Sequence, residues 1–149
     1  MAQVGDIYLP DDLYYNRTEH LWARVETDNR VRVGLDAFGS RAAGTVVYLK
    51  ILPPGKPTRK NRNFGSLEAG KYVGPLKSPV DGSLVEVNQA VLDDPGLVNR
   101  EPYQAWFVVI EAAGDPLEQL ADHVAGDEIQ TWLETEYARY EEEGLFAEE

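Results

Sequence analysis

The chain of 149 residues has no cysteine, two histidines and one methionine, Met1. Without thiols it builds neither a disulfide framework nor a thiolate metal site, and any redox chemistry has to come from an attached group. No apolar run approaches the roughly 20 residues that cross a bilayer. The opening MAQVGDIYLPDD lacks the basic, apolar and small-residue regions of a secretory leader. The cytoplasm is therefore the expected compartment. Basic residues are scarce: 14 Lys and Arg stand against 26 Asp and Glu, a net charge of −12. That charge repels nucleic acid and anionic membranes at long range, so neither is an expected partner. No motif pairs a nucleophile with a base or gathers metal ligands, so the chain is not expected to be an enzyme, and no catalytic or metal site is assigned. Of the histidines, His20 beside Trp22 is the one that invites a chemical role, and a structural role is the expectation for it.

What charge there is lies unevenly. From 115 to 149 there are twelve acidic residues and one basic, Arg139, whereas from 50 to 77 seven basic residues stand against Glu68. Two surfaces of opposite sign are expected. With 43% hydrophobic residues the chain is long enough to hide about 70% of its unfolded surface around one core. It is read as a single domain over 1–149, in which about 115–149 is an acidic helical extension.

Residues 21–111 read as short strands, rich in β-branched and aromatic residues and punctuated by glycine and proline. LWARV (21–25) and RVRVGL (30–35) flank Asp28-Asn29, which is hairpin turn chemistry. TVVYLKIL (45–52) stops at Pro53-Pro54-Gly55, and NFGSLE (63–68), a run from Val73 to Leu76, GSLVEVN (82–88) and WFVVIE (106–111) continue the pattern. The fold class is mainly β, a small barrel or sandwich. Short helices are predicted at 36–43 and 89–94, and another where Asp115 caps Pro116. A longer helix from about 127 to 143 carries an apolar stripe of Ile129, Leu133, Tyr137 and Tyr140 for the barrel, with an acidic solvated outer face. The last residues, GLFAEE, have little to hold them and are expected to fray.

The most informative stretch is FGSLEAGKYVGPLKSPVDG, residues 64–82. Strand-like halves flank Ala69-Gly70-Lys71, which puts a lysine at a hairpin tip, reachable by a modifying enzyme and positioned by a rigid scaffold. Gly65, Gly70, Gly74 and Gly82 read as backbone devices for turning or close approach, without a phosphate-binding pattern.

This stretch resembles the lipoylation loop of glycine-cleavage H proteins, where a Glu three residues before the lysine and a downstream Ser-Pro-Val-x-Gly recur; here these are Glu68, Lys71 and Ser78 to Gly82. The resemblance spans about 14–134. Thr18-Glu19-His20-Leu21-Trp22 is similar to the family's Glu-His-x-Trp, and LVNREPY (97–103) with Trp106 to its Leu-Val-Asn-x-x-Pro-Tyr segment. It implies a lipoyl/biotinyl hammerhead-type barrel-sandwich with a C-terminal helical extension, and a non-catalytic carrier whose lipoate is amide-linked to Lys71. It further implies recognition of Glu68 by the lipoate-attaching enzyme, with Gly70 and Tyr72 completing the lipoyl loop. A biotin carrier would present Met-Lys-Met, which is absent. The loop Gly70-Lys71-Tyr72-Val73-Gly74-Pro75 departs from ordinary H proteins and resembles the lipoate-binding proteins of heterodisulfide-reductase-like sulfur oxidation. That pathway is the preferred expectation, with a heterodisulfide-reductase-like complex and a dihydrolipoamide dehydrogenase as partners. The alternatives are a glycine-cleavage H protein carrying an aminomethyl group between glycine-cleavage enzymes, and an unmodified interaction module. A resting place for the arm is expected in a groove near the hairpin, against Tyr72 or Val73.

Overall fold

The computed structural model describes residues 1–70 and 72–147; Lys71, Glu148 and Glu149 lie outside the described residues. A short hairpin, β1 (Ala2–Val4) and β2 (Ile7–Leu9), precedes β3 (Tyr14–Tyr15) and the predicted hairpin of β4 (Leu21–Val25) and β5 (Arg30–Leu35). Asp28 and Asn29 both have positive φ, 60° and 58°, and the Arg30 N–H donates to Thr27 O at 3.2 Å. Two successive left-handed residues give the turn the twist that antiparallel strands need. Helix α1 (Ala37–Ala43) starts where the Asp36 side chain accepts the Gly39 N–H and ends at Gly44, φ 86°, as a capping residue and a left-handed stop require.

Strand β6 (Val46–Ile51) ends before the two prolines, and β7 (Pro57–Thr58), β8 (Asn63–Ala69), β9 (Val73–Lys77) and β10 (Gly82–Val87) follow. Two short helices, α2 (Gln89–Asp93) and α3 (Leu97–Arg100), lead to β11 (Val108–Ala112), and α4 (Pro116–Gln119) and α5 (Glu128–Glu143) complete the chain. The fold is mainly β with short helices and a C-terminal helix, as the sequence predicts. The strands form a six-stranded sheet in the order β3-β4-β5-β11-β10-β7, a three-stranded sheet in the order β6-β8-β9, and the β1-β2 pair. Among the described residues no helix is long and apolar enough to cross a membrane.

The two larger sheets share one core. Leu21, Val31, Val33, Leu84, Val108 and Ile110 of the six-stranded sheet share one cluster with Leu49, Phe64, Leu67 and Leu76 of the three-stranded sheet. A β-carbon at Gly65 would lie 2.3 Å from Lys50 O, so only glycine lets β8 run against β6 at that point.

The apolar stripe of the C-terminal helix meets the six-stranded sheet at Tyr15 and Trp22. Ile129 and Leu133 belong to a second cluster, with Ala2, Ile7, Leu9, Tyr15, Trp22 and Phe38, rather than to the core between the sheets. Gln130 exchanges hydrogen bonds with the Gln3 backbone, accepting at 2.9 Å and donating at 3.1 Å, so a helix side chain continues the β1 ladder. The tail is also held. Phe146 lies 5.3 Å from the Phe38 ring, 5.3 Å from Tyr137 and 5.5 Å from Tyr140. Aromatic contacts of Phe146 therefore oppose the fraying expected of GLFAEE, 144–149, of which the final two residues lie outside the described residues.

Candidate functional site

The β8–β9 hairpin reaches out of the small sheet and ends where the sequence places its lysine. Register pairs Glu68 with Val73 and with Tyr48 of β6, so the three form one row on the outer face; Glu68 is exposed and Val73 is 76% exposed. The tip is tied on both sides. Ala69 N–H donates to Tyr72 O at 2.7 Å, and Gly70 N–H donates to Thr45 O at 3.1 Å, just before β6. Gly70 is exposed, and a β-carbon there would meet nothing within 4 Å; its φ is not among the positive ones. Gly70 therefore leaves open space at the tip; of the four glycines read as backbone devices, Gly65 and Gly82 stand against neighbouring backbone, and Gly74 against the Tyr72 side chain. Lys71, between Gly70 and Tyr72, lies outside the described residues.

Beside the tip opens a cleft of about 250 Å³. One side is the hairpin itself, Leu67, Tyr72, Pro75 and Leu76; the floor is Leu21, Leu35 and the small residues Gly39, Ala42 and Ala43; Tyr140 and Leu145 close it from the chain's end. Tyr72 lines this cleft as expected, whereas Val73 is not among its lining residues. The phenol of Tyr72 is held above its ordinary pKa, by burial first and then by the nearby Glu19 carboxylate, so it is a neutral donor at physiological pH.

Two charged side chains reach the cleft, Glu19 and His20, and each is engaged. Lys77 lies 3.2 Å from Glu19. His20, 4% exposed, has Asp36 Oδ2 3.4 Å from Nδ1 and donates from Nε2 to Glu136 Oε1 at 2.9 Å. Burial pulls its pKa down, but Asp36, followed by Glu136, more than reverses this and raises it to about 9. The structural role expected of His20 holds; its carboxylate partners went unnoticed in the sequence. A signal existed, because Glu136 falls seven residues after Ile129 and three after Leu133, inside the apolar stripe.

The basic stretch divides. Lys60 pairs with Asp122 at 2.7 Å, and Lys77 with Glu19. Lys50, Lys56, Arg59 and Arg62 are exposed and have no acidic partner among the described residues. Among those residues no group of three or more His, Asp or Glu is placed to hold a metal ion.

The model of the glycine cleavage H-protein family matches residues 13–136. A glycine cleavage system H protein 2 of Aquifex aeolicus is 38% identical over 122 residues, covering 80% of this chain and 74% of that protein. A glycine cleavage system H protein of Halalkalibacterium halodurans is 35% identical over 129 residues, covering 86% of this chain and 98% of its own length. The crystal structure of a glycine cleavage system H protein from Mycobacterium marinum superposes with a TM-score of 0.67 at 29% identity, over 72% of this chain and 88% of that one. The match runs from the residues before β3 through both sheets and into α5, and the chain belongs to the glycine cleavage H-protein family.

Proposed function

We propose that this chain is a lipoyl carrier modified at Lys71, whose arm passes a bound group between glycine-cleavage enzymes. Proteins of the family carry lipoate covalently attached to a lysine, and the one observation that carries the assignment to Lys71 is the hairpin tip: exposed at Gly70, tied down at Ala69 and Gly70, and flanked by an apolar cleft. The residues fit the group. An alkyl arm needs an accessible lysine and an apolar surface without unpaired charge, and the cleft offers leucines, alanines, Pro75 and two tyrosine rings. Leu21, Leu67, Leu76 and Tyr72 would hold it.

Lipoate supplies a dithiolane that exchanges between disulfide and dithiol and can accept a group on sulfur. The chain's residues hold the tip, shelter apolar surface from water, and present the exposed Glu68 to the lipoate-attaching enzyme. The whole chain, 115–149 included, is read as one carrier domain that is not itself an enzyme. Its partners are the attaching enzyme, the glycine-cleavage enzymes and a dihydrolipoamide dehydrogenase.

The relatives' names favour glycine cleavage over the sulfur oxidation expected from the loop, and the first reading follows them. Sulfur oxidation with a heterodisulfide-reductase-like complex stands second, on one observation: the cleft is apolar and its carboxylate, Glu19, is already paired with Lys77. A neutral sulfur-bound fragment suits such a cleft better than an ammonium group.

The test uses the full chain, a lipoate–protein ligase, lipoate and ATP. Intact mass and peptide mapping should show one lipoyl amide on Lys71, and Lys71→Arg should abolish it while unfolding within about 0.5 kcal/mol of wild type. An unmodified Lys71 would leave an interaction module. Glycine turnover by purified glycine decarboxylase with the loaded protein supports the first reading; none, beside sulfur transfer to a heterodisulfide-reductase-like complex, supports the second.

A further inference from the structure

The wall that Tyr140 and Leu145 give the cleft comes from the far end of the chain, and beside the apolar contacts of Ile129 and Leu133 α5 brings a buried carboxylate, Glu136, to His20. The His20 ring lies between Phe38, centroids 4.4 Å apart at 21°, and Trp132 of α5, 4.8 Å apart at 19°; the Tyr140 ring meets it edge-on at 6.2 Å. Asp36 Oδ2 faces Nδ1 at 3.4 Å and Glu136 Oε1 faces Nε2 at 2.9 Å. A neutral imidazole has one N–H and leaves a lone pair facing a carboxylate, whereas the cation has a proton for each oxygen. Aromatic faces above and below also favour a cation. Both carboxylates are fixed from elsewhere: Asp36 accepts the Gly39 N–H at 2.7 Å, and Glu136 accepts from Arg139 at 3.0 Å.

We propose that His20, held as an imidazolium between Asp36 and Glu136, is the positioning residue that bolts α5 to the β core and keeps the Tyr140–Leu145 wall of the cleft in place. The bolt stands on geometry alone; its use in shielding a lipoyl arm rests on the function proposed above.

The His20 pKa, raised from the usual 6.5 to about 9, agrees in sign. The stability that the ion pairs contribute is complete below 6.5 and is lost as pH rises through about 9, where the pairs themselves break. Of the groups that face the two carboxylates, Tyr15 and Tyr103, near Asp36, are held neutral chiefly by burial, and Arg139 stays charged beside Glu136. Tyr140 of α5 presents a ring edge to His20.

The experiment uses the full, unmodified chain. Imidazole nitrogen NMR near neutral pH should show both His20 nitrogens protonated. Emission from Trp132, quenched by the stacked cation, should recover as pH rises through about 9, a transition absent from His20→Gln and Trp132→Phe. Glu136→Gln, which keeps the side-chain shape, should move the transition down by about one pH unit or more. Amide exchange along α5 should quicken about tenfold or more in His20→Gln near neutral pH, with β4 and β5 unaffected. A neutral ring near pH 7, a transition unmoved by Glu136→Gln, or unchanged α5 exchange would overturn the bolt. None of these readouts requires Lys71 to be modified. On lipoylated protein, faster reduction of the dithiolane by a soluble phosphine in His20→Gln ties the bolt to the arm; an unchanged rate beside a loosened α5 sinks the shielding role alone.

Discussion

Two glycines in the β8–β9 hairpin separate backbone need from side-chain convenience. At Gly65 an added β-carbon meets Lys50 O at 2.3 Å, and neither strand can yield without losing ladder hydrogen bonds. Gly65→Ala should cost about 1–3 kcal/mol in chemical denaturation. At Gly74 the obstacle is the Tyr72 hydroxyl, 2.5 Å away, the far end of a side chain with two free torsions. Gly74→Ala should cost under about 1 kcal/mol but turn the Tyr72 ring away from its place in the cleft, visible as faster nitration of Tyr72 in a peptide map. His20 acts at the same scale on stability. Its raised pKa, about 9, predicts that wild type loses on the order of 3 kcal/mol across the alkaline limb, while His20→Gln, starting lower, stays nearly flat there. Denaturation at a series of pH values reads both. The histidine's structural character was legible from the lack of other ligands, whereas Asp36 was read only as the first residue of a helix and is its cap. The meeting of His20 with Asp36 and Glu136 was not, because residues 16 and 116 apart in sequence carry no local mark of meeting.

At the scale of elements, the hairpins were the easiest to read. Asp28-Asn29 and the double proline set strand ends by local chemistry, which needs no tertiary information. The N-terminal hairpin went unpredicted because two strands of three residues, AQV and IYL, are too short for period-two alternation to register, and they are stable only under a cover. That cover is α5, whose apolar stripe is visible in the sequence although its target is not. One periodic face fits any apolar surface, so the sequence assigned the stripe to the barrel, which it meets at Tyr15 and Trp22, without showing that β1, β2 and Phe38 share the second cluster. Coupling between the two follows. Leu133→Ala, at a position 1% exposed, should cost about 2–5 kcal/mol, and hydrogen exchange should show β1 and β2 losing protection with α5 while β8 and β9 keep theirs.

Over the whole molecule, charge and shape are divided. The segment after 115 holds nearly all of the net charge, whereas Lys50, Lys56, Arg59 and Arg62 are exposed around the small sheet that bears the tip. Exposed like charges act on encounter more than on the docked complex. Reversing Lys56 and Arg59 to glutamate should raise the KM of an acidic partner enzyme and flatten its salt dependence, with little change in kcat, in steady-state assays at several ionic strengths. This polarity was legible in composition; which cations are left unpaired was not, since Lys60 and Lys77 find acids far away in sequence. The sheets' borders carry a last consequence. Of the six-stranded sheet's edges, β3 is two residues long and β7 is two residues starting with Pro57; of the small sheet's, β9 has Pro75 at its centre and β6 is bulged between Val46 and Tyr48. A stray strand from another molecule finds no long, flat, unbroken ladder to join. These blunted margins let copies of the chain crowd together without zipping into fibres.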